Sequence, residues 1–132
     1  MPTRRVVIDH MSIGVSDLGA SRRFYLAALA PLGFVEQGSW SEDAHEVAFG
    51  PEDLDDFGLS TRYPPTVGGH VAFAADSREQ VDAFHGAALA AGGTDNGGPG
   101  IRPQYSPGYY GAFVLDPDGY NVEAVYHEPQ SG

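Results

Sequence analysis

The chain contains no cysteine and no lysine. Without cysteine it can form no disulfide, no thiolate nucleophile and no cysteine-ligated zinc site. Without lysine it cannot form a Schiff base with a carbonyl substrate. Any bound metal ion must therefore be held by histidine, aspartate, glutamate or backbone oxygen.

Basic residues and long apolar segments are also scarce. Seven arginines stand against 18 acidic residues, and the formal net charge is −11. A chain this acidic is repelled by phosphate groups, so nucleic acid and anionic membranes are poor partners. No apolar run approaches the roughly 18 residues of a membrane span. The apolar run at residues 6–8 is cut off by Asp9 and His10 and is too short for a signal peptide, so we expect a cytoplasmic protein.

The chain is long enough for one domain, residues 1–132, and it contains an internal repeat. At an offset of 60 residues His10 aligns with His70, and the match continues through Phe24 with Phe84 to Gly33 with Gly93. A period in this range indicates duplication of a structural unit. We place the first module at about residues 6–63 and the second at about 67–128, on either side of Pro64-Pro65.

Each module is predicted to contain a strand, a helix and three further strands. The first-module strands lie at residues 6–15, 34–37, 45–49 and 57–62, and its helix runs from Ser16 or Asp17 to about Leu32. Gly33 then ends this helix. In the second module a strand at about residues 70–75 precedes a helix that begins at an Asp76-to-Glu79 capping box and ends near Ala91. Residues 95–108 are rich in glycine and proline and are predicted to form a long loop. Strands at 110–115 and 121–127 follow, joined by a tight turn at 116–119.

Period-two alternation separates an apolar face from a face with polar and small residues. His10, His70 and Glu123 all fall on the second face. Two related sheets curled with these faces inward would form a cup, lined by residues small enough to leave room for a ligand. The sequence thus predicts an α+β fold of two βαβββ modules that form a cup-shaped mixed sheet.

This pattern resembles the vicinal oxygen chelate superfamily, which includes glyoxalases, extradiol dioxygenases and bleomycin-resistance proteins. The resemblance covers nearly the whole chain, and it depends most on the two-fold repeat and on an Asp116-Pro117-Asp118-Gly119 turn with Glu123 four residues further on. It implies the glyoxalase-like fold, a small-molecule substrate and, because short two-module chains of this kind usually dimerise, a homodimer.

The resemblance also implies a metal site. His10, His70 and Glu123 match three of the four family ligand positions, and Glu123 is the candidate catalytic residue. The fourth position falls at residues 57–59, where no side chain can bind a metal. Asp56 is adjacent, but a shift of one residue turns a strand side chain to the other face. Two histidines and one carboxylate suit a divalent Fe, Mn, Zn or Ni ion. The plainer interpretation, that the histidines merely begin duplicated strands and Glu123 is a partly solvated carboxylate, is disfavoured because all three share one predicted face.

The candidate substrate-binding residues lie in and beside the glycine- and proline-rich segment. Arg102 offers a planar donor fork for an anionic group, and Tyr105, Tyr109 and Tyr110 are its aromatic neighbours in sequence. An ordinary loop arginine with tyrosines packed over the sheet is the competing interpretation.

Three functions remain open from the sequence. The first is a metal-dependent enzyme, resembling an extradiol dioxygenase or a lactoylglutathione lyase, that acts on a compound with vicinal oxygens. The second is a metal-free binding protein of the bleomycin-resistance type, and the third is a duplicated scaffold without activity. The retained histidines and Glu123 favour the enzyme, whereas the missing fourth ligand and the scarcity of basic residues argue against a glutathione-dependent lyase.

Overall fold

The structure, a computed structural model, describes residues 6–38, 41 and 43–130. In chain order its elements are β1 (Met11–Gly14), α1 (Leu18–Leu29), a 3₁₀ turn (Ala30–Leu32), β2 (Phe34–Gln37), β3 (Glu46–Pro51), β4 (Phe57–Ser60), β5 (His70–Ala74), α2 (Arg78–Ala90), β6 (Thr94–Ile101), β7 (Tyr109–Leu115) and β8 (Asn121–His127). A strand, a helix and three strands occur in this order twice. The predicted α+β fold of two βαβββ modules is confirmed.

The ends of the helices follow from local hydrogen bonding. Asp17 caps α1 because its side chain accepts the backbone N–H of Ala20, and Gly33, with φ +87°, closes the 3₁₀ turn in the left-handed region. For α2 the capping residue is Ser77, whose hydroxyl accepts the backbone N–H of Gln80. The predicted capping box at Asp76 is therefore one residue too early. Ser77 is extended while the next residue is helical, which makes its hydroxyl the cap.

The strands form two four-stranded mixed sheets, one from each module. The strand orders are β1-β4-β3-β2 and β5-β8-β7-β6, and the first and last strands of each module pair in parallel. The matching registers are informative, because Ser12 lies opposite Gly58 in the first sheet and Ala72 lies opposite Glu123 in the second. Since Ser12 and Ala72 are equivalent under the 60-residue repeat, Gly58 occupies the place of Glu123.

The segment predicted as a loop at residues 95–108 is largely a strand. β6 pairs antiparallel with β7, although its register shifts between Asp95 and Gly97 and again between Gly97 and Gly100. It is an edge strand, and an edge strand with bulges tolerates both glycine and Pro99, which cannot donate to a ladder. The loop prediction is thus wrong for residues 95–101, while residues 102–108 do connect the two strands.

The two modules pack back to back through their helices and a shared aromatic cluster. Helices α1 and α2 are in contact, and Phe24 and Phe84, the repeat-related pair, are both fully buried. The ring of Phe57 in the first sheet lies 5.1 Å from that of Phe73 in the second, edge to face. None of the helices within the described residues has the length and apolar character needed to cross a membrane.

Tyr120 ties the modules together near the turn between β7 and β8. Its hydroxyl donates to the carbonyl of Gly14 at 2.8 Å and accepts the backbone N–H of Thr66 at 3.0 Å. Next to it, Ser16 donates its hydroxyl to Asp118 at 2.5 Å. These bonds connect the end of the first strand, the linker between the modules and the second-module turn.

Candidate metal and substrate site

His70 and Glu123 form a close pair on the face of the second sheet that points away from the helices. Parallel pairing of β5 with β8 sets their spacing, and His70 Nε2 lies 3.2 Å from Glu123 Oε1. The histidine side chain is 45% exposed, whereas the carboxylate side chain is only 2% exposed. A nearly buried carboxylate requires a counter-charge or hydrogen-bond donors, because leaving it without them costs several kcal/mol.

The tautomer of His70 is fixed by its other ring nitrogen. Nδ1 lies 2.9 Å from the backbone carbonyl of Asn121, and since a carbonyl only accepts, Nδ1 carries the proton. In the neutral ring Nε2 then presents a lone pair to the carboxylate. Two acceptors at this distance repel each other unless a proton or another cation lies between them. This orientation of an imidazole by a backbone carbonyl is the arrangement found around metal-ligating histidines.

Tyr109 holds the second oxygen of the same carboxylate. Its hydroxyl donates to Glu123 Oε2, which leaves Oε1 directed at His70. Burial raises the pKa of Tyr109 most, and the hydrogen bond and negative charge of Glu123 raise it further. Tyr109 therefore remains a proton donor to Glu123 across the physiological pH range.

His10 lies in a different hollow on the first sheet. That hollow has a volume of about 370 Å³, and Ser12, Asp55, Gly58 and Tyr63 also line it. His10 Nδ1 lies 2.7 Å from Asp9 Oδ1, and this hydrogen bond, together with the charge of Asp9, raises the pKa of His10. Like His70, it has its Nδ1 beside an oxygen atom.

A single chain does not bring the expected metal ligands together. Within residues 6–38, 41 and 43–130, no three metal-binding side chains form a group that could hold a metal ion. His70 and Glu123 share a hollow of about 440 Å³ with Tyr105, Tyr109 and Phe113. The expectation that His10 lies beside this pair is not met within one chain, because His10 lines the hollow on the first sheet instead.

The four candidate substrate-binding residues divide between two faces of the second sheet. Tyr105 and Tyr109 line the hollow of His70 and Glu123, and Arg102 lines an adjoining hollow that also contains Tyr105. Tyr110 points the other way, because neighbouring residues of a strand alternate. Its hydroxyl donates to Asp82 of α2 at 2.6 Å, and the structure therefore separates it from the other three.

Two residues at this site were missed by the sequence interpretation. Asn121 was not among the candidate residues from the sequence, yet its backbone carbonyl orients His70. Phe113 stacks on the His70 ring, with 6.3 Å between ring centroids. The alternation of β7 could have identified Phe113, since it lies four residues after Tyr109 on the same face. The contact of His70 with the backbone carbonyl of Asn121 could not be predicted, because every residue type has this carbonyl.

The fold and this site define a class: proteins of two βαβββ modules whose open sheet faces carry histidine and carboxylate side chains. The family model described as "Glyoxalase/Bleomycin resistance protein/Dioxygenase superfamily" matches residues 7–124. The chain belongs to this superfamily, as the resemblance to the vicinal oxygen chelate proteins predicted.

Solved structures agree with this assignment. The chain is 35% identical to a glyoxalase/bleomycin resistance protein from Albidiferax ferrireducens T118, with 92% of this chain and 98% of that one covered and a TM-score of 0.74. A glyoxalase/bleomycin resistance protein/dioxygenase family enzyme from Burkholderia phytofirmans PsJN shows 21% identity over 93% and 100% of the two chains, with a TM-score of 0.69. A lactoylglutathione lyase from Agrobacterium tumefaciens shows 19% identity over 94% and 96%, with a TM-score of 0.66. Among curated proteins, none matches the sequence.

Proposed function

We propose that the protein is a metal-dependent enzyme that acts on a small substrate with vicinal oxygens, in the manner of an extradiol dioxygenase or a lactoylglutathione lyase. The observation that carries the proposal is the His70–Glu123 pair. The ring nitrogen Nε2 and a nearly buried carboxylate oxygen face each other at 3.2 Å, and a divalent cation can bind both.

The donor set fits a first-row metal ion. Neutral imidazole and carboxylate suit divalent Fe, Mn, Zn or Ni. When bound, such an ion polarises substrate oxygens as a Lewis acid or, if it is iron or manganese, supports oxygen chemistry. Tyr109 limits Glu123 to a single free oxygen, Oε1. Glu123 would therefore present Oε1 to the ion, and as the carboxylate that lines this hollow it remains the proposed catalytic residue.

The third ligand in this proposal is His10 from a second copy of the chain. β1 and β5 are each the outer strand of their sheet, so their free edges can face those of another protomer. The segment that leads into β1 is apolar and uncovered, with Val6, Val7 and Ile8 between 71% and 78% exposed. Exposed apolar clusters of this kind mark association surfaces. A homodimer that joins β1 of one protomer to β5 of the other would carry two equivalent sites.

A metal-free binding protein of the bleomycin-resistance type is the second candidate function. One observation favours it, namely that Gly58 stands where a fourth ligand would be expected. The hollow between His70 and Phe113 would then hold a small molecule without chemical change.

Metal analysis of protein purified without chelator or affinity tag tests the proposal. We expect near-stoichiometric metal in the wild-type protein and its loss in His10→Ala and His70→Ala. His45→Ala is the matched control, because His45 is exposed, its Nδ1 lies 3.3 Å from the Thr61 hydroxyl, and it lines neither hollow. Protein that remains metal-free after titration with Fe(II), Mn(II), Ni(II) and Zn(II) would contradict the enzyme proposal and favour the binding protein.

A further inference from the structure

We infer that the substrate carries an anionic group, a carboxylate or its equivalent, which Arg102 binds in the hollow next to the His70–Glu123 pair. This inference rests on the proposed function for the position of the reacting oxygens. It adds the chemical class of the ligand: a compact anion with its charge at one end and its vicinal oxygens at the other.

Arg102 is a half-buried arginine for which no carboxylate partner is found among the described residues. Arg22, Arg62 and Arg78 are each paired with a glutamate. Among the residues that the structure describes, no ion pair to Arg102 is found, and Arg23 is the other arginine without one. Arg23 is exposed on α1, whereas Arg102 is half-buried. In a chain of net charge −11, a half-buried guanidinium without a carboxylate is a positive site that an anion can occupy.

The guanidinium of Arg102 is also held in place. Its Nη2 donates a hydrogen bond to the carbonyl of Gly98 at 2.7 Å. The guanidinium also lies over the Phe113 ring, with 5.5 Å between Cζ and the ring centroid. Arginine has five N–H donors, so a contact to one carbonyl leaves most of the fork available. A group already immobilised by the protein loses little conformational entropy when it binds a ligand.

The hollow around Arg102 is continuous with the proposed metal site. It has a volume of about 320 Å³ and includes the amide side chains of Asn96 and Asn121. Asn121, Tyr105 and Phe113 also line the hollow of His70 and Glu123. The two hollows are thus neighbours, with Phe113 in the wall of both.

The size of the ligand follows from the position of Phe113 between the two groups. Its centroid is 5.5 Å from Arg102 Cζ and 6.3 Å from the centroid of the His70 ring. The guanidinium and the imidazole therefore cannot be further apart than the sum of these distances, 11.8 Å. The part of a ligand that spans both groups is therefore short, and a six-membered ring with its substituents is a suitable probe.

Matched acid and amide probes test this inference. The probes are 3,4-dihydroxybenzoate and 2,3-dihydroxybenzoate, each compared with its amide, which keeps both hydroxyls and removes only the charge. Calorimetric titration of Zn(II)-loaded protein avoids redox chemistry. For at least one isomer we expect the acid to bind about tenfold or more tightly than its amide, as a charge-assisted hydrogen bond implies.

The substitution Arg102→Gln should reduce this acid-to-amide ratio to less than about twofold while leaving the affinity for the amide unchanged. Arg23→Gln makes the same change in net charge away from the hollow and should keep the ratio. A wild-type ratio below twofold for both isomers, including failure of every probe to bind, would overturn the inference. A ratio that persists in Arg102→Gln would do the same.

The same titrations on chelator-treated protein separate this inference from the proposed function. If the acid is preferred through Arg102 but Zn(II) changes no affinity, the anion site stands and the metal-dependent enzyme does not. If Zn(II) strengthens the binding of acid and amide equally, the metal site stands and the role of Arg102 is refuted.

Discussion

Glu123 and Gly58 occupy equivalent positions in the two modules, and this difference in side chain makes the modules chemically unequal. Each lies opposite the third residue of a repeat-related segment, Ala72 for Glu123 and Ser12 for Gly58. A Cβ atom on Gly58 would lie 2.8 Å from the hydroxyl of Ser12. The first module therefore has no carboxylate at this position, and Ser12 occupies part of the space that a side chain there would need.

The effect of replacing Gly58 by alanine on the free energy of unfolding should depend on Ser12. Glycine weakens a strand, and alanine recovers about 0.5–1 kcal/mol of unfolding free energy, but the Ser12 hydroxyl must first move. We expect Gly58→Ala to be nearly neutral alone and stabilising by about 0.5–1 kcal/mol when Ser12→Ala is also present. Urea unfolding of the two single variants and the double variant measures this coupling.

Gly86→Ala is the matched control for this cycle. Gly86 lies on α2, and a Cβ atom there would meet nothing within 4 Å. Its effect should be the same with and without Ser12→Ala. Equal effects of Gly58→Ala in both backgrounds would show that the Ser12 hydroxyl does not restrict position 58.

Glu123→Gln should abolish the metal-dependent part of stability while keeping the fold. The glutamine oxygen can still accept from Tyr109, and its amide can donate to the lone pair of His70 Nε2. Because the variant removes a carboxylate that is only 2% exposed, we expect its metal-free form to unfold at the same free energy as the wild type or a higher one.

Thermal unfolding with and without metal measures this difference. At a metal concentration about 100 times the dissociation constant, the wild type should gain about 2.7 kcal/mol, and Glu123→Gln should gain little. An equal gain in both proteins would show that the metal binds elsewhere.

The sequence identified the His70–Glu123 pair because period-two alternation and the repeat both act on side chains. The sequence could not show whether His10 lies close to this pair within one chain, because that depends on how the two sheets are arranged in space. The contrast between Tyr109 and Tyr110 has the same origin. Adjacent tyrosines in a strand point to opposite faces, and only the paired structure shows that Tyr110 reaches Asp82.

At the scale of elements, Tyr25 and Asp116 connect α1 with the turn between β7 and β8. The Tyr25 hydroxyl donates to Asp116 Oδ2 at 2.5 Å, and both side chains are buried. Burial raises the pKa of Tyr25 well above its usual value, and the negative charge of Asp116 raises it further. The second oxygen of Asp116 accepts the backbone N–H groups of Asp118 and Tyr120, so one carboxylate organises the turn and anchors the helix.

Tyr25→Phe should change the alkaline limb of the stability profile. Because the pKa of Tyr25 is raised in the folded state, its contribution is fully present below about pH 10, the usual tyrosine pKa, and is lost as the pH rises above it. In Tyr25→Phe the fall in unfolding free energy above pH 10 should be shallower. Near neutral pH the variant should lose about 1–3 kcal/mol, because Asp116 Oδ2 loses its donor.

Urea unfolding between pH 7 and pH 11 checks both effects. Tyr63→Phe is the control, since Tyr63 is 68% exposed and no hydrogen bond to its hydroxyl is found among the described residues. A Tyr25→Phe profile parallel to that of the wild type above pH 10 would refute the role assigned to Tyr25.

β6 shows why elements differ in how well the sequence predicts them. The helices and most strands combine a regular apolar pattern with a capping residue or a turn, and they were predicted within a few residues. β6 has no apolar pattern, and half of its eight residues, Gly97, Gly98, Pro99 and Gly100, have the composition of a loop. It is a strand because β7 provides a template along one edge, which is a tertiary effect.

At the scale of the whole molecule, a site shared between protomers predicts that two defective variants restore each other. His10→Ala and His70→Ala should each lack metal in pure form. In an equimolar mixture refolded together, half of the dimers combine the two chains, and each of these has one complete site. The mixture should therefore bind about one quarter of the wild-type metal.

Metal analysis after gel filtration of the mixed dimers measures this recovery. A mixture of His70→Ala with Glu123→Ala is the control, because both changes damage the same half of the site and no combination repairs it. Zero recovery in the first mixture would show that the three ligands do not come from two chains.

The linker that Tyr120 secures has a consequence for how the chain could be cut. Tyr63 and Val67 protrude into solvent on this segment, while Thr66 is bonded to the Tyr120 hydroxyl and the helices and aromatic rings of the two halves remain in contact behind it. A protease would find an accessible peptide bond here, yet the products would share a buried surface. The nicked protein should migrate as two fragments on a denaturing gel and as an intact particle in native buffer, which makes this segment a natural place to split the gene for a two-fragment reporter.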